Sequence, residues 1–333
     1  MRKNLVLMGL ASALVLSAVP GGYASAEETE EESSAAAEQD SGNSFAEDTD
    51  QVIQNFFHLG DPFYTVEELP VIHVDTPEKS VSIQERFREV RDDQGKTHEI
   101  GLEGYQEEGG KAYAGYHILV DGEEQIDCQT GESYGADLHY LEANGRGYFY
   151  FADKSGIDYA NQAAFYTFQD GELTECLSVT GELRGSEEKL FSDWARGKLL
   201  CVGGNAILMV WADQSPCIGS FAVPVYLTAA EDGTISLSDQ EFPMLDMKGM
   251  YREHWTANRS FSTESSPGSG EEAFTVNQGD TVDISEMVWA DGSQYYKIVN
   301  RNEEEGWLKN DPEEDSKDGY FFEAFFSDSI LAG

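Results

Sequence analysis

Three times in this chain a short aromatic or aliphatic run meets an Asp-Gly pair, and a second strand-like run follows. Tyr116-His117-Ile118-Leu119-Val120 leads into Asp121-Gly122, Phe165-Tyr166-Thr167-Phe168 into Asp170-Gly171, and Val225-Tyr226-Leu227 into Asp232-Gly233. The returning runs are Gln125-Ile126, Leu173 to Val179, and Thr234 to Leu237. Asp-Gly supplies the positive-φ positions of a tight turn, so each unit reads as a β-hairpin. A further strand-like run stands ahead of each: His98 to Leu102, Tyr148 to Phe151, and Leu199 to Val202 with Ile207 to Trp211. The turn glycines fall 49 and 62 residues apart, somewhat wider than the spacing of common blade repeats. Long amphipathic helical patterns are absent from Tyr64 onward. The expectation is an all-β fold with about three blade-like units, arranged as a partial propeller or as a sandwich.

The N-terminal residues carry a different signal. Arg2 and Lys3 precede an apolar stretch from Leu5 to Val19, and Ala24-Ser25-Ala26 is a small-x-small cleavage site with Ala24 and Ala26 as its small residues. Residues 1–26 are read as a secretory signal peptide, which places the mature chain outside the cytoplasmic membrane, secreted or associated with the cell wall. No Cys precedes Cys128, so a lipid-modified cysteine at that site is excluded. Residues 27–50 hold ten acidic residues and no Lys or Arg, a composition that cannot bury enough surface to fold and reads as a disordered, solvated linker. Thr49 or Asp50 can then cap a short helix with Val52, Ile53, Phe56 and Phe57 on one face, stopped by Gly60 and Pro62. The formal net charge is −42. That balance opposes nucleic acid and anionic membrane as partners and favours a neutral or cationic ligand.

The C-terminal third has its own strand order. Gly279-Asp280-Thr281-Val282-Asp283-Ile284 is followed by Tyr295-Tyr296-Lys297-Ile298-Val299 and by Gly306-Trp307-Leu308. Val282 and Ile284 alternate inward, Asp291-Gly292 turns the hairpin, and Gly306 lets the chain bend before Trp307. With these motifs, residues 95 to 333 resemble secreted Firmicutes proteins that join degenerate FG-GAP/VCBS-type β-repeats to a bacterial SH3-like (SH3b) domain. Tyr295 stands where that domain usually has Trp, and Glu303 where the last motif has its first Gly. The resemblance implies a β-repeat domain over 51–250, opened by the short helix, and an SH3-like small β-barrel over 251–333. It also implies an aromatic groove drawn from Trp289, Tyr295, Tyr296 and Trp307. Alternation puts Tyr295 and Tyr296 on opposite faces, so only one of them can line it. In such repeats an Asp-rich calcium loop often stands where this chain has Leu102 to Lys111, but only Glu103, Glu107 and Glu108 supply carboxylates there, and Leu141 to Arg146 supplies fewer. Calcium takes six to eight oxygens, and neither a metal nor another cofactor is expected. The segment Tyr320 to Phe326, with Ile330-Leu331, is too apolar for a free tail and is expected to dock on a folded domain.

Cys128, Cys176, Cys201 and Cys217 form an even set in a chain read as exported, which allows three disulfide connectivities. The preferred pairing is Cys201 with Cys217 and Cys128 with Cys176, and the alternative is four reduced, buried thiols. The six histidines fall in no recognisable catalytic motif. Cys128 follows a hairpin turn rather than opening a helix, where a thiolate would be stabilised. Asp137 and His139 share a strand face but read as a surface pair. The function expected is therefore non-enzymatic: binding of a cell-wall peptide or glycan, or of an extracellular protein, through the SH3-like domain. Binding through the β-repeat domain is the alternative, and a divergent wall peptidase or amidase is the remaining one.

Overall fold

The computed structural model describes residues 63–76, 87–92, 94–154, 162–179, 196–215, 217–238, 241–244, 254–310 and 325–326. The signal segment with Ala24 and Ala26, the acidic linker and the helix around Val52 to Phe57 lie outside them. In chain order the strands are β1 (Tyr64–Thr65) and β2 (Val71–Val74), with a 3-10 turn Val66–Glu68 between them. Next come β3 (Phe87–Arg91), β4 (Thr97–Tyr105), β5 (Tyr113–Val120) and β6 (Glu123–Ser133), then β7 (Ala136–Ala143), β8 (Arg146–Asp153), β9 (Ala163–Gln169) and β10 (Glu172–Ser178). A third set holds β11 (Arg196–Gly203), β12 (Ala206–Ser215), β13 (Gly219–Ala229) and β14 (Ile235–Leu237). The last comprises β15 (Glu241–Pro243), β16 (Trp255–Thr256), β17 (Phe261–Glu264), β18 (Glu272–Val276), β19 (Thr281–Ala290), β20 (Ser293–Asn300) and β21 (Glu305–Lys309).

The fold is all-β, and the recurring hairpins have one place in it. β3–β6, β7–β10 and β11–β14 are three consecutive four-stranded antiparallel meanders. Each Asp-Gly pair joins the third strand of its meander to the fourth. Asp121 and Asp170 take positive φ of 53° and 54° ahead of Gly122 and Gly171 at 84° and 82°, the conformation of a type I′ turn, whose twist suits a two-residue hairpin. The third turn differs: only Gly233 is left-handed, and the loop closes through Ala230 and Thr234. Asn144-Gly145, inside the stretch compared with a calcium loop, is another hairpin turn at 51° and 72°. Leu141 and Ala143 beside it point into the core.

The sheet of β7–β10 is buried on both faces, and its sequence shows why. Phe149, Phe151, Ala164 and Tyr166 pack against the β3–β6 sheet, in a cluster with Ile100, Leu102, Tyr116 and Ile118. Tyr148, Tyr150, Ala163 and Phe165 point the other way, into a cluster with Leu199, Met209, Trp211 and Val225 of the β11–β14 sheet. A strand covered on both sides has no polar face, which accounts for the unbroken runs Tyr148-Phe149-Tyr150-Phe151 and Ala163-Ala164-Phe165-Tyr166. The segment from Tyr64 to Val74 ties two sheets together: β1 pairs with the edge of β11 and β2 with the edge of β7. Gly197 faces Trp211 across β11 and β12, and a Cβ there would lie 2.6 Å from the indole. Only glycine lets that ring lie flat across the strand.

The same core continues into the C-terminal sheet through Val276, Val282, Met287, Tyr296, Ile298 and Leu308. Its strand order is β15-β19-β20-β21-β17-β18, with β16 also on β19. The expected small barrel is not closed, because no pairing among the described strands joins β18 back to β15 or β16. β15 precedes residue 251 and nevertheless pairs in this sheet. Of the apolar C-terminal segment, Phe325 and Phe326 are described and both are docked, while Tyr320 to Ala324 and Ile330-Leu331 lie outside the described residues. Phe326 bridges to Ala257, the Asn258 N–H donates to the Phe325 carbonyl at 2.7 Å, and both rings meet Phe261 edge-on. Phe326 is fully buried. Phe326→Ala should cost about 3–5 kcal/mol, the usual range for a buried Phe; urea unfolding monitored by tryptophan fluorescence gives the value, and a loss below about 1 kcal/mol would show that the docked residues are not part of the core.

Candidate functional site

The four aromatic candidates divide between the two faces of the C-terminal sheet. Register pairs Met287 with Tyr296 and Tyr296 with Leu308, and these three sit in the core. Tyr296 is therefore a packing residue, a correction to its expected place in a groove. Its ring meets Phe221 of β13 edge-on at 5.7 Å, and its hydroxyl donates to Gln294 Oε1 at 3.0 Å. Burial raises its pKa well above the ordinary phenol value. Tyr295 points to the opposite face but is also covered, with 3% of its surface exposed. A Cβ on Gly268 would stand 3.5 Å from its hydroxyl. Burial, with the nearby Glu264 and Asp291 carboxylates, raises its pKa. It offers no ring face to a ligand, a second correction.

Trp289 and Trp307 remain half-exposed. Trp289 is paired with Gln294 and, by alternation, shares the face of Met287 and Tyr296. Trp307 belongs to the outer face, in a cross-strand row formed by Glu286 of β19, Lys297 of β20, Trp307 of β21 and Glu264 of β17. The Lys297 ammonium stands 5.7 Å from the centroid of the Trp307 ring, within reach of a cation–π attraction. It is held at 3.0 Å from Glu305 and 3.4 Å from Glu286, and the hydrogen bond to Glu305, partly opposed by desolvation, raises its pKa. Sequence reasoning missed Lys297; its signal was the cross-strand register, which no local pattern prints. Near the start of β19, Phe274, Val276, Val282, Asn300 and Arg301 contribute to the lining of a pocket of about 180 Å³. Arg301 donates there to Thr281 Oγ1 at 3.0 Å.

A second polar aromatic surface lies on the outer face of the β3–β6 sheet. Tyr105 crosses Gly115, whose missing side chain leaves room for the ring. Its ring lies against His117, the centroids 4.6 Å apart and the planes tilted by 37°, and its hydroxyl donates to Asp127 Oδ1 at 2.9 Å. Desolvation and the Asp127 hydrogen bond push its pKa up to about 12.

The cysteine pairings are corrected by the packing. No two of the four cysteines stand at disulfide distance, because each proposed pair is split between different clusters. Cys201 packs with Leu208 in one cluster, whereas Cys217 lies in the main core beside the Lys309 carbonyl. Cys128 lies between the first and second sheets, 3.6 Å from the Tyr166 hydroxyl, and Cys176 packs against the core on the other side of the second sheet. Burial pushes the Cys128 and Cys201 thiols up to about 12, the opposite of what a nucleophile requires.

Asp137 and His139 do not bond to each other. Asp137 instead holds His73 Nδ1 at 2.5 Å and Lys154 Nζ at 2.8 Å. Burial alone would raise its pKa, but Lys154 and then His73 outweigh that and hold it low. His139 is driven toward its neutral form by burial. No group of His, Cys, Asp and Glu among the described residues has the geometry to hold a metal ion.

No family model matches the chain, and no similar protein is found among curated proteins or solved structures.

The thiols give the prediction. Under native conditions without reductant, Cys128, Cys201 and Cys217 should resist an alkylating probe, and denaturation alone should make all four cysteines reactive. Mass spectrometry reads the adducts; cysteines that stay unmodified in denaturant until a reductant is added would restore the disulfide reading.

Proposed function

We propose that this is an exported, non-catalytic binding protein whose C-terminal sheet contacts a neutral or cationic partner, a cell-wall peptide or an extracellular protein. Export rests on Arg2, Lys3 and the Ala24-Ser25-Ala26 site, and the SH3-like comparison rests on the strand motifs of residues 279–308. The observation that carries the reading is the Trp307 platform. A half-exposed indole is fixed under a cation that two carboxylates hold in place. A rigid aromatic ring buries a large area with little loss of conformational entropy. The alternating charges of Glu286, Lys297 and Glu264 around it offer donors and acceptors to an extended peptide. A chain of net charge −42 would repel a polyanion from the same face.

A second reading is favoured by one observation, the Tyr105 and His117 pair with Asp127 on the β3–β6 sheet. Flat rings beside a carboxylate suit a glycan, which presents apolar ring faces and hydroxyls together.

Co-sedimentation of the purified protein with purified peptidoglycan discriminates between the two surfaces. Trp307→Ala should weaken binding about tenfold, the scale of an aromatic hot spot, while Tyr105→Ala leaves it unchanged. The reverse result would transfer the site to the repeat sheets. If both variants melt like the parent and bind as tightly, neither surface is the contact.

A further inference from the structure

His98 on β4 lies at a junction of three turns and two sheets. It is buried, with 3% of its surface exposed, and each ring nitrogen faces a carboxylate. Nδ1 is 2.8 Å from Asp121 Oδ2, and Nε2 is 3.2 Å from Asp92 Oδ2. Both contacts are complete as hydrogen bonds only when both nitrogens carry hydrogen, that is, in the imidazolium form.

Each carboxylate also organises its own turn. Asp92 Oδ1 accepts the N–H groups of Gln94 and Lys96, closing the β3–β4 connection. Asp121, at a left-handed position of the β5–β6 turn, accepts the Glu99 N–H at 2.9 Å. The third turn belongs to the central sheet. Gly171 lies against the imidazole so closely that a Cβ would be 2.6 Å from Cε1, and Phe168 meets the ring edge-on at 5.5 Å. Gln94 reaches across to Asp170. Gln125 donates to the Gly171 carbonyl and accepts the Leu173 N–H. The ionisable groups facing His98 are thus Asp92 and Asp121, with Lys96 acting on Asp121 and Asp170 bonded to Gln94.

We propose that His98 is a protonation-dependent clasp between the β3–β6 sheet and the β9–β10 turn of the central sheet, closed while the ring carries both hydrogens and both aspartates are ionised. When the ring gives up one hydrogen, a nitrogen lone pair faces a carboxylate and one charge-assisted bond becomes a repulsion. The turn on that side loosens, and with it the Gln94 or Gln125 contacts to the central sheet. Asp92 is subject to desolvation that would raise its pKa, but the Lys96 N–H, His98 and the Gln94 N–H outweigh it. Asp121 is held low by the Glu99 N–H and His98. The carboxylates' contribution is therefore present above the ordinary Asp pKa and is lost only as pH falls through their depressed values. This inference is independent of which surface binds a ligand.

Amide hydrogen exchange on the intact chain, followed together with the imidazole ¹⁵N signals across the histidine range of about pH 5 to 8, tests the clasp. Protection factors at Lys96, Glu99 and Leu173 should fall about tenfold as His98 loses its second hydrogen, the scale of one charge-assisted hydrogen bond, while Val225 in the third sheet stays unchanged. His98→Gln should abolish the pH dependence at the three amides. If that variant does not fold, Asp121→Asn, at a half-exposed carboxylate, should move the break in protection to lower pH. Protection that ignores the His98 titration, a His98→Gln profile like the parent's, or an unmoved break in Asp121→Asn would each overturn the proposal.

Discussion

The burial of the β7–β10 sheet on both of its faces is the constraint on which the rest of the molecule depends. A single sheet with one wet face tolerates substitution on that face, but here every position of Tyr148 to Phe151 is fixed by a neighbour. Phe149 and Phe151 organise the first sheet, while Tyr148, Tyr150 and Phe165 organise the third. Each aromatic ring removes a large apolar area from water, at roughly 25 cal/mol per Å². The stacking also leaves sheet edges open, and the segment 64–74 closes two of them by backbone pairing. An edge covered this way is not available for pairing with another chain.

The third sheet and the C-terminal sheet are joined by a different chemistry. Alongside the apolar contact of Phe221 with Tyr296 runs a buried polar network. Ser215 Oγ donates to Asn310 Oδ1, accepts the Cys217 N–H, and lies in the same joint as Gln294, which accepts from both Tyr296 and Asn310. Polar groups buried away from water cost free energy unless they are paired, so this network favours one relative placement of the two sheets where an apolar joint would permit sliding. Tyr296 is committed to that joint. The face opposite it is thereby freed for other contacts, and that is where Lys297 and Trp307 meet.

Several buried titratable groups among the described residues are tied into the architecture. The Cys128 and Cys201 thiols are too basic to ionise near neutral pH, and His98 and Asp137 are occupied by turns and by neighbouring charges. Trp307 with Lys297 and Tyr105 with His117 are half-exposed and stand outside these joints.

The sequence by itself determined the strand class and the turns. Asp121-Gly122, Asp170-Gly171 and Asp291-Gly292 at left-handed positions are local necessities, and the alternation of Val282 with Ile284 is a local pattern; neither needs a distant partner to be recognised. It also determined that Phe325 and Phe326 would find a core, because such a run cannot remain in water. Only the tertiary structure decided which cysteine lies on which face, since sulfur spacing along the chain says nothing about clusters on opposite sides of a sheet. The same holds for the aromatic candidates: Tyr295 and Tyr296 were legible as opposite-facing, but that both are covered follows from the Gly268 turn and from the third sheet. Lys297 became the partner of Trp307 through register between β20 and β21, a long-range pairing that the residues near either one do not encode.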